Sequence, residues 1–272
     1  MEDKNTNIVY GFLWSKSEIN LLKHRWHYND MQDLIPEPIV RGKVGVDIGS
    51  GCGYDTYIMA KDNPAIRIIS VDLSDGVFKT RELTSGTSNV NILKSSVLDM
   101  PIKNDIFDFA YSFGVLHHVS NPKKGLLEIR RILKKDCPAF LYFYEDHSNN
   151  RIKYTAIRMV SLLRGITTKM QPVFLYALCW LLSPVVFMIF TMSSKAFRGF
   201  NGTKRFADMM PFNFGTDPFS LRADLYDRFR APVEHRFNKM AIYEIFDCCG
   251  FKNVKIVKFK DRAGLVVWGY KR

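Results

Sequence analysis

The sequence predicts a doubly wound α/β fold: a mostly parallel seven-stranded sheet with an antiparallel C-terminal hairpin, interrupted by a helical apolar insertion acting as a cap. Three observations predict it. Between residues 43 and 144, short β-branched or aromatic runs alternate with longer amphipathic stretches, as buried strands joined by helices do. A glycine-rich turn follows the first of these runs, at Gly49, Gly51 and Gly53, where an open α/β sheet places its ligand crevice. Two more apolar runs, 253–260 and 263–271, are separated only by Asp261 and Arg262, and so short a link joins antiparallel neighbours.

Taken in order, the expected strands are KVGVDI (43–48), RIISVD (67–72), NVNILK (89–94), FDFAYS (107–112) and AFLYFY (139–144). Helices are expected at YDTYIMAKD, SDGVFKTREL and NPKKGLLEIRRILKK, the last with Leu126, Leu127, Ile129, Ile132 and Leu133 as its apolar face. KMAIYEIFDCCGF reads as a helix closed by Gly250, with the vicinal pair Cys248 and Cys249 as core filling. The chain then divides into an N-terminal helical cap (1–40), a core (41–145), an apolar and basic helical insertion (146–232), and a C-terminal helix and hairpin (233–272) that complete the core sheet.

With 47% hydrophobic and 24% charged residues among 272, the chain can fill a core, which excludes the disordered and fibrous classes. Five cysteines without a C-x-x-C pair point to a reducing compartment. The polar N-terminus MEDKNTNIVYGF carries no export pattern, so a cytoplasmic protein is expected. The net charge of +12 is unevenly spread: residues 1–150 hold 18 basic and 19 acidic side chains, 151–194 hold five basic and no acidic ones, and 195–272 hold 16 against 8. A field of that sign favours phosphate-bearing partners, whether nucleic acid, lipid headgroup or substrate.

Residues 170–194 carry no charge over 25 positions, long enough to cross a hydrocarbon layer of ~30 Å. A single crossing is excluded, because the strands at 253–271 must rejoin the sheet begun at 43–48. The stretch is therefore expected either as a buried lid or as an interfacial hairpin broken near Pro184. Before it, RIKYTAIRMVSLLRGITTK mixes Ile157, Val160, Leu162 and Leu163 with Arg151, Lys153, Arg158 and Arg164. A helix resting on anionic headgroups has that composition, and a core helix of a cap subdomain fits it equally.

The sharpest chemical signal is V-D-I-G-S-G-C-G at 46–53. Its glycines let a ligand approach the backbone, with the free N–H groups of a helix start behind them. The G-x-G-x-G spacing, with Tyr54 where a dinucleotide site would need other chemistry, departs from the nicotinamide fingerprint. Asp47, on the strand before the first glycine, would repel a pyrophosphate and suit an ammonium group.

On these residues the chain resembles the class I S-adenosylmethionine-dependent methyltransferases, in their small-molecule group. The resemblance implies S-adenosyl-L-methionine as the cofactor and no metal. It implies that Asp47, Gly49, Ser50, Gly51 and Gly53 bind the methionine part, and that Asp72, with Leu73 beside it, holds both ribose hydroxyls. It further implies that Asp99 in SSVLDMP faces the adenine amino group, flanked by Leu98 and Met100. FDFAYSFGVLHHVSNPKKGLLEIRRILKKDC is similar to the family's fourth strand and its sequel, which adds Ser112 and Phe113 to the cofactor set. His117 and His118 then fall on the acceptor side as candidate catalytic bases. Neighbours on a helix diverge by about 100°, so at most one should face the pocket.

Tyr10 and Trp14 in Y-G-F-L-W resemble an F-G-x-x-W opening of capped members, which implies closure over the site. Tyr144 after the fifth strand and His235 before the last helix are candidates for the substrate rim. Methyl transfer is an in-line displacement that needs alignment and exclusion of water. The apolar, basic-rimmed insertion suits a small hydrophobic or lipid-like acceptor, with peripheral membrane contact through 151–194. A soluble sugar or polyketide-type metabolite is the alternative acceptor, and a catalytically idle membrane scaffold the alternative class. Nucleic acid is disfavoured, because the basic residues accompany apolar rather than stacking surfaces.

Overall fold

The computed structural model of the chain describes residues 2–16, 21–34, 43–213, 215–259 and 264–272. The strands β1 (Val44–Ile48), β2 (Arg67–Asp72), β3 (Val90–Lys94), β4 (Phe109–Phe113), β5 (Pro138–Phe143), β6 (Phe251–Val257) and β7 (Leu265–Lys271) form one sheet in the order β3-β2-β1-β4-β5-β7-β6. β1 to β5 pair in parallel, while β7 lies antiparallel between β5 and β6. The strand order turns around between β1 and β4, which is where an open sheet leaves a crevice at its carboxyl edge. The expected turn at Asp261 and Arg262 lies outside the described residues.

The connecting helices are α1 (Glu2–Lys16), α2 (Leu21–Leu34), α3 (Tyr54–Asp62), α4 (Gly76–Leu83) and α5 (Pro122–Ile132). After them come α6 (Arg151–Thr167), α7 (Pro172–Arg198), α8 (Lys204–Met209), α9 (Arg222–Arg230) and α10 (Lys239–Cys248). Asn121 and Asn238 cap α5 and α10 by accepting from the N–H of Lys124 and Ala241, which satisfies amides that the helix itself leaves unpaired. One face of the sheet packs Val46, Ile48, Leu141 and Val267 against Leu126 and Ile129 of α5 and Phe246 of α10. The opposite face packs Ile68, Phe109 and Phe140 against Tyr28 and Met31 of α2 and Ile58 and Met59 of α3. Cys249 is buried but Cys248 is exposed, which corrects the reading of both as core filling: adjacent helical side chains cannot share one face.

The sheet, α1 to α5 and α10 belong to one compact unit, and residues 146–232 form a second. Within the second, α9 packs on both α6 and α7, and the Thr167 hydroxyl donates to the Phe229 carbonyl at 2.6 Å. α7 runs unbroken for 27 residues, so the break expected near Pro184 is absent. Pro184 sits inside the helix, where its missing N–H removes one rung, and a π turn over Phe187–Met192 follows three residues later. A widened turn of that kind lets a helix absorb a local misfit without ending.

Candidate active site

At the carboxyl edge of β1, β2 and β4 lies a cavity whose empty space, open mouth included, is about 710 Å³. α1 covers it with Thr6, Asn7, Tyr10 and Trp14; the loops after β1 to β4 supply Gly49, Asp72, Leu73, Ser95, Ser96, Val97, Phe113 and Val115, and His118 and Val119 close one end.

The turn after β1 needs its glycines for two reasons. Gly49, Gly51 and Gly53 hold φ of 74°, 58° and 82°, the left-handed region that side chains disfavour. A Cβ on Gly51 would come within 2.7 Å of the Trp14 indole, and one on Gly49 within 2.0 Å of Val115. Gly49 lines the cavity, while Gly53 sits at the start of α3. Ser50 Oγ is buried with no hydrogen-bond partner among the described residues, a polar atom beside the turn that a ligand group would satisfy.

Asp72 closes β2 at the cavity wall. Its Oδ2 accepts from the Gly51 N–H at 2.8 Å and its Oδ1 from the Ser74 N–H at 2.6 Å. Burial pushes its pKa up, and these donors pull it back. Each oxygen keeps lone-pair capacity, so the carboxylate is held in one orientation and still fits a pair of vicinal hydroxyls. Asp47 lies behind the wall: it is 2% exposed and accepts from the Thr56 hydroxyl at 2.5 Å. Burial, with the Asp55 and Asp72 charges adding, lifts its pKa to about 8. Its expected direct contact with a ligand ammonium is therefore corrected, since the side chain points into the α3–β2 interior rather than into the cavity.

The loop after β3 corrects the expected adenine contacts. Ser95, Ser96 and Val97 line the cavity, whereas Asp99 is exposed and Leu98 and Met100 belong to the hydrophobic core. A tight turn explains it: the Asp99 N–H donates to the Ser96 carbonyl and the Leu98 N–H to Ser96 Oγ, which swings the acid outward. Ser112 is likewise no wall residue; its hydroxyl donates to the Ile48 carbonyl at 2.9 Å and ties β4 to β1. Phe113 does line the cavity, stacked between His27 at 3.8 Å and Tyr142 at 4.3 Å.

The two neighbouring histidines part company. His118 lines the cavity, and its Nδ1 lies 3.0 Å from the Val233 carbonyl. A carbonyl only accepts, so Nδ1 donates and the neutral ring carries its lone pair on Nε2. His117 is fully buried, stacked on Tyr144 at 3.8 Å, with neither ring nitrogen hydrogen-bonded among the described residues. Burial drives its pKa well below the ordinary histidine value. It is a neutral member of an aromatic stack, so its candidacy as a base is corrected. Tyr144 and His235 also stand outside the lining. Tyr144 carries the Arg236 guanidinium 5.1 Å over its ring, and His235 Nε2 donates to the Val119 carbonyl at 3.1 Å. Both pin the wall loop from behind.

Sequence reasoning missed Gly114, whose φ of 83° and open surroundings leave cavity space where a Cβ would stand; the glycine directly after an apolar strand was the available signal. It also missed the cluster in which Asp55 Oδ2 accepts from Tyr111 at 3.0 Å and meets His27 Nδ1 at 3.1 Å. These residues are scattered over three elements, and no local spacing announces them.

Residues 46–141, from β1 through β5, match a family model described as a methyltransferase domain. A tRNA (carboxymethyluridine(34)-5-O)-methyltransferase of Saccharomyces cerevisiae is 39% identical over 95 residues, 35% of this chain and 32% of that protein. A chloroplastic 2-methyl-6-phytyl-1,4-hydroquinone methyltransferase of Oryza sativa is 29% identical over 108 residues, 39% of this chain and 33% of that protein. The chain spans about a third of the length of these curated relatives. Among solved structures, an S-adenosylmethionine-dependent methyltransferase from Aquifex aeolicus superposes with a TM-score of 0.51 at 13% identity, covering 93% of this chain and 98% of that one. Residues 46–141 therefore carry a methyltransferase domain, which implies S-adenosyl-L-methionine as its cofactor.

Proposed function

We propose that the chain transfers a methyl group from S-adenosylmethionine to a small hydrophobic acceptor. The observation that carries this reading is the cavity itself: a backbone-anchored Asp72 at one wall, with Tyr10, Trp14, Val97, Phe113, Val115 and Val119 around it. When bound, the cofactor supplies an electrophilic methyl group on a sulfonium sulfur. Asp72 is suited to hold ribose hydroxyls, α1 excludes water through Tyr10 and Trp14, and His118, which lines the cavity, takes a proton from a hydroxyl or phenol acceptor. Apolar walls favour an apolar acceptor. The rice relative is named for a phytyl hydroquinone, and a demethylmenaquinone methyltransferase of Clavibacter sepedonicus is 31% identical over 97 residues.

A second reading, transfer to RNA, is favoured by the yeast relative's name and by the net charge of +12. One experiment separates them. Labelled cofactor is incubated with the protein and either an organic-solvent extract of cells or total RNA. Label in the organic phase supports the proposal, and label in a ribonuclease-sensitive fraction replaces it with the second. Failure of S-adenosylhomocysteine to bind at millimolar concentration by calorimetry would remove both. With the acceptor known, His118→Gln should lower turnover by about 10²- to 10⁴-fold while leaving S-adenosylhomocysteine affinity unchanged; undiminished turnover strikes out the proton-acceptor role.

A further inference from the structure

The second unit is built inside out. The side chains of α7 that face inward form a stripe at Leu175, Cys179, Ser183, Phe187, Thr191 and Ser194. Half of that stripe is hydroxyl. Ser183 donates to the Pro218 carbonyl at 2.8 Å, Ser194 to the Ala207 carbonyl at 2.9 Å, and Thr191 to the Phe212 carbonyl. Apart from Leu175 and Phe187, most bulky apolar side chains of the same helix point outward: Phe174 is 65% exposed, Leu181 62% and Met188 63%. A helix that buries its small polar groups and displays its large apolar ones has the arrangement of a lipid-facing surface, where each buried hydroxyl must find an internal partner.

α6 adds a second apolar strip with charged borders. None of its residues is buried, and Leu162 is 80% exposed. At about 100° per residue, Ile152, Met159, Leu163 and Ile166 share one arc with Leu162. Arg151 and Arg158 border one edge of that arc, and Lys153 and Arg164 stand on the other. Cations flanking an apolar arc are what a helix lying in the headgroup layer requires, since their stems reach up to phosphates while the apolar arc sinks.

The occupant is further fixed by charge and connectivity. From 151 to 207 the chain holds nine basic residues and no acidic one. A second copy of the same surface would set like charge against like charge across a two-fold contact, whereas an anionic bilayer neutralises it. α7, about 40 Å long at 1.5 Å per residue, could reach across ~30 Å of hydrocarbon. But β5 before it and β7 after it are paired in one sheet, and the segments that follow α7 in its unit, α8 and α9, are too short and polar to cross back. We propose that α6 and α7 lie in the headgroup and outer acyl region of a bilayer rich in anionic phospholipid, without spanning it.

The test needs no turnover, so it stands or falls apart from the methyl-transfer reading. The full chain is floated with vesicles of phosphatidylcholine alone or with about one-third phosphatidylglycerol. Flotation with the anionic vesicles, weakened by 0.5 M salt, is expected. The double substitution Leu162→Asp and Leu181→Asp should reduce partitioning about tenfold or more; both positions are exposed, and circular dichroism checks that the fold persists. Arg151→Gln with Arg158→Gln, which leaves the apolar arc intact, should cut the preference for anionic over neutral vesicles. Absence of wild-type flotation, or partitioning unchanged by the aspartate pair, overturns the proposal. So does a stable two-copy mass by light scattering that the aspartate pair abolishes, which would assign the face to a second chain.

Discussion

The two units of this chain use apolar residues in opposite ways. In the first, Phe107, Phe109, Phe140 and Phe143 are fully buried against helices on either side of the sheet. In the second, α7 keeps Ser183, Thr191 and Ser194 inside and turns Phe174, Leu181 and Met188 outward. Apolar composition alone would put α7 deep in a core. Its inward hydroxyls each donate to a carbonyl within the unit, so that no buried oxygen of the stripe is left unpaired.

The contrast can be broken in graded steps. The largest effect belongs to the first unit: Phe140→Ala should cost about 3–5 kcal/mol in denaturant unfolding, while Phe174→Ala in the second should stay within about 0.5 kcal/mol. Equal losses would erase the distinction. Next comes Asp47, whose pKa rises to about 8 in the fold against about 3.9 unfolded. The folded state therefore keeps a proton that the unfolded chain releases, so its contribution is fully present below about pH 4 and is lost as pH rises through 8, by up to about 1.4 kcal/mol per unit. Asp47→Asn should flatten that slope, read from unfolding midpoints between pH 5 and 8.

Asp72→Ala should weaken S-adenosylhomocysteine binding by roughly 1.5–3 kcal/mol, the worth of hydrogen bonds to a charged group; an unchanged dissociation constant in calorimetry would contradict the ribose-holding role. The smallest step sharpens the second unit. Ser194→Ala should cost about 1 kcal/mol because it removes the hydroxyl's hydrogen bond to the Ala207 carbonyl. A gain in stability would mean that the hydroxyl stripe is incidental.

Much of the sheet was legible because buried parallel strands are short runs of one character between punctuation: RIISVD is β2 residue for residue, and YDTYIMAKD is α3. The glycine turn and Asp72 were legible for a related reason, since a strand end followed by positive-φ glycines has few other uses. Side-chain direction within loops was not. Asp99 and Ser96 are three residues apart in one turn, and only the turn's own hydrogen bonds decide which of them meets the cavity. Pro184 misled because a proline's cost is local, and a π turn can absorb it. The split between His117 and His118 was foreseeable in kind, but not which of them would turn inward.

β7 follows every other strand in the sequence, yet it occupies an interior slot between β5 and β6. During synthesis the flank of β5 stays unpaired until residues 265–271 have left the ribosome, more than a hundred residues after β5 itself. Pairings that distant are slow, and an uncovered strand edge invites wrong partners. The nascent chain must therefore carry both that open edge and the outward-facing apolar side chains of α7 through the same interval, two adhesive surfaces at once until the sheet is finally zipped.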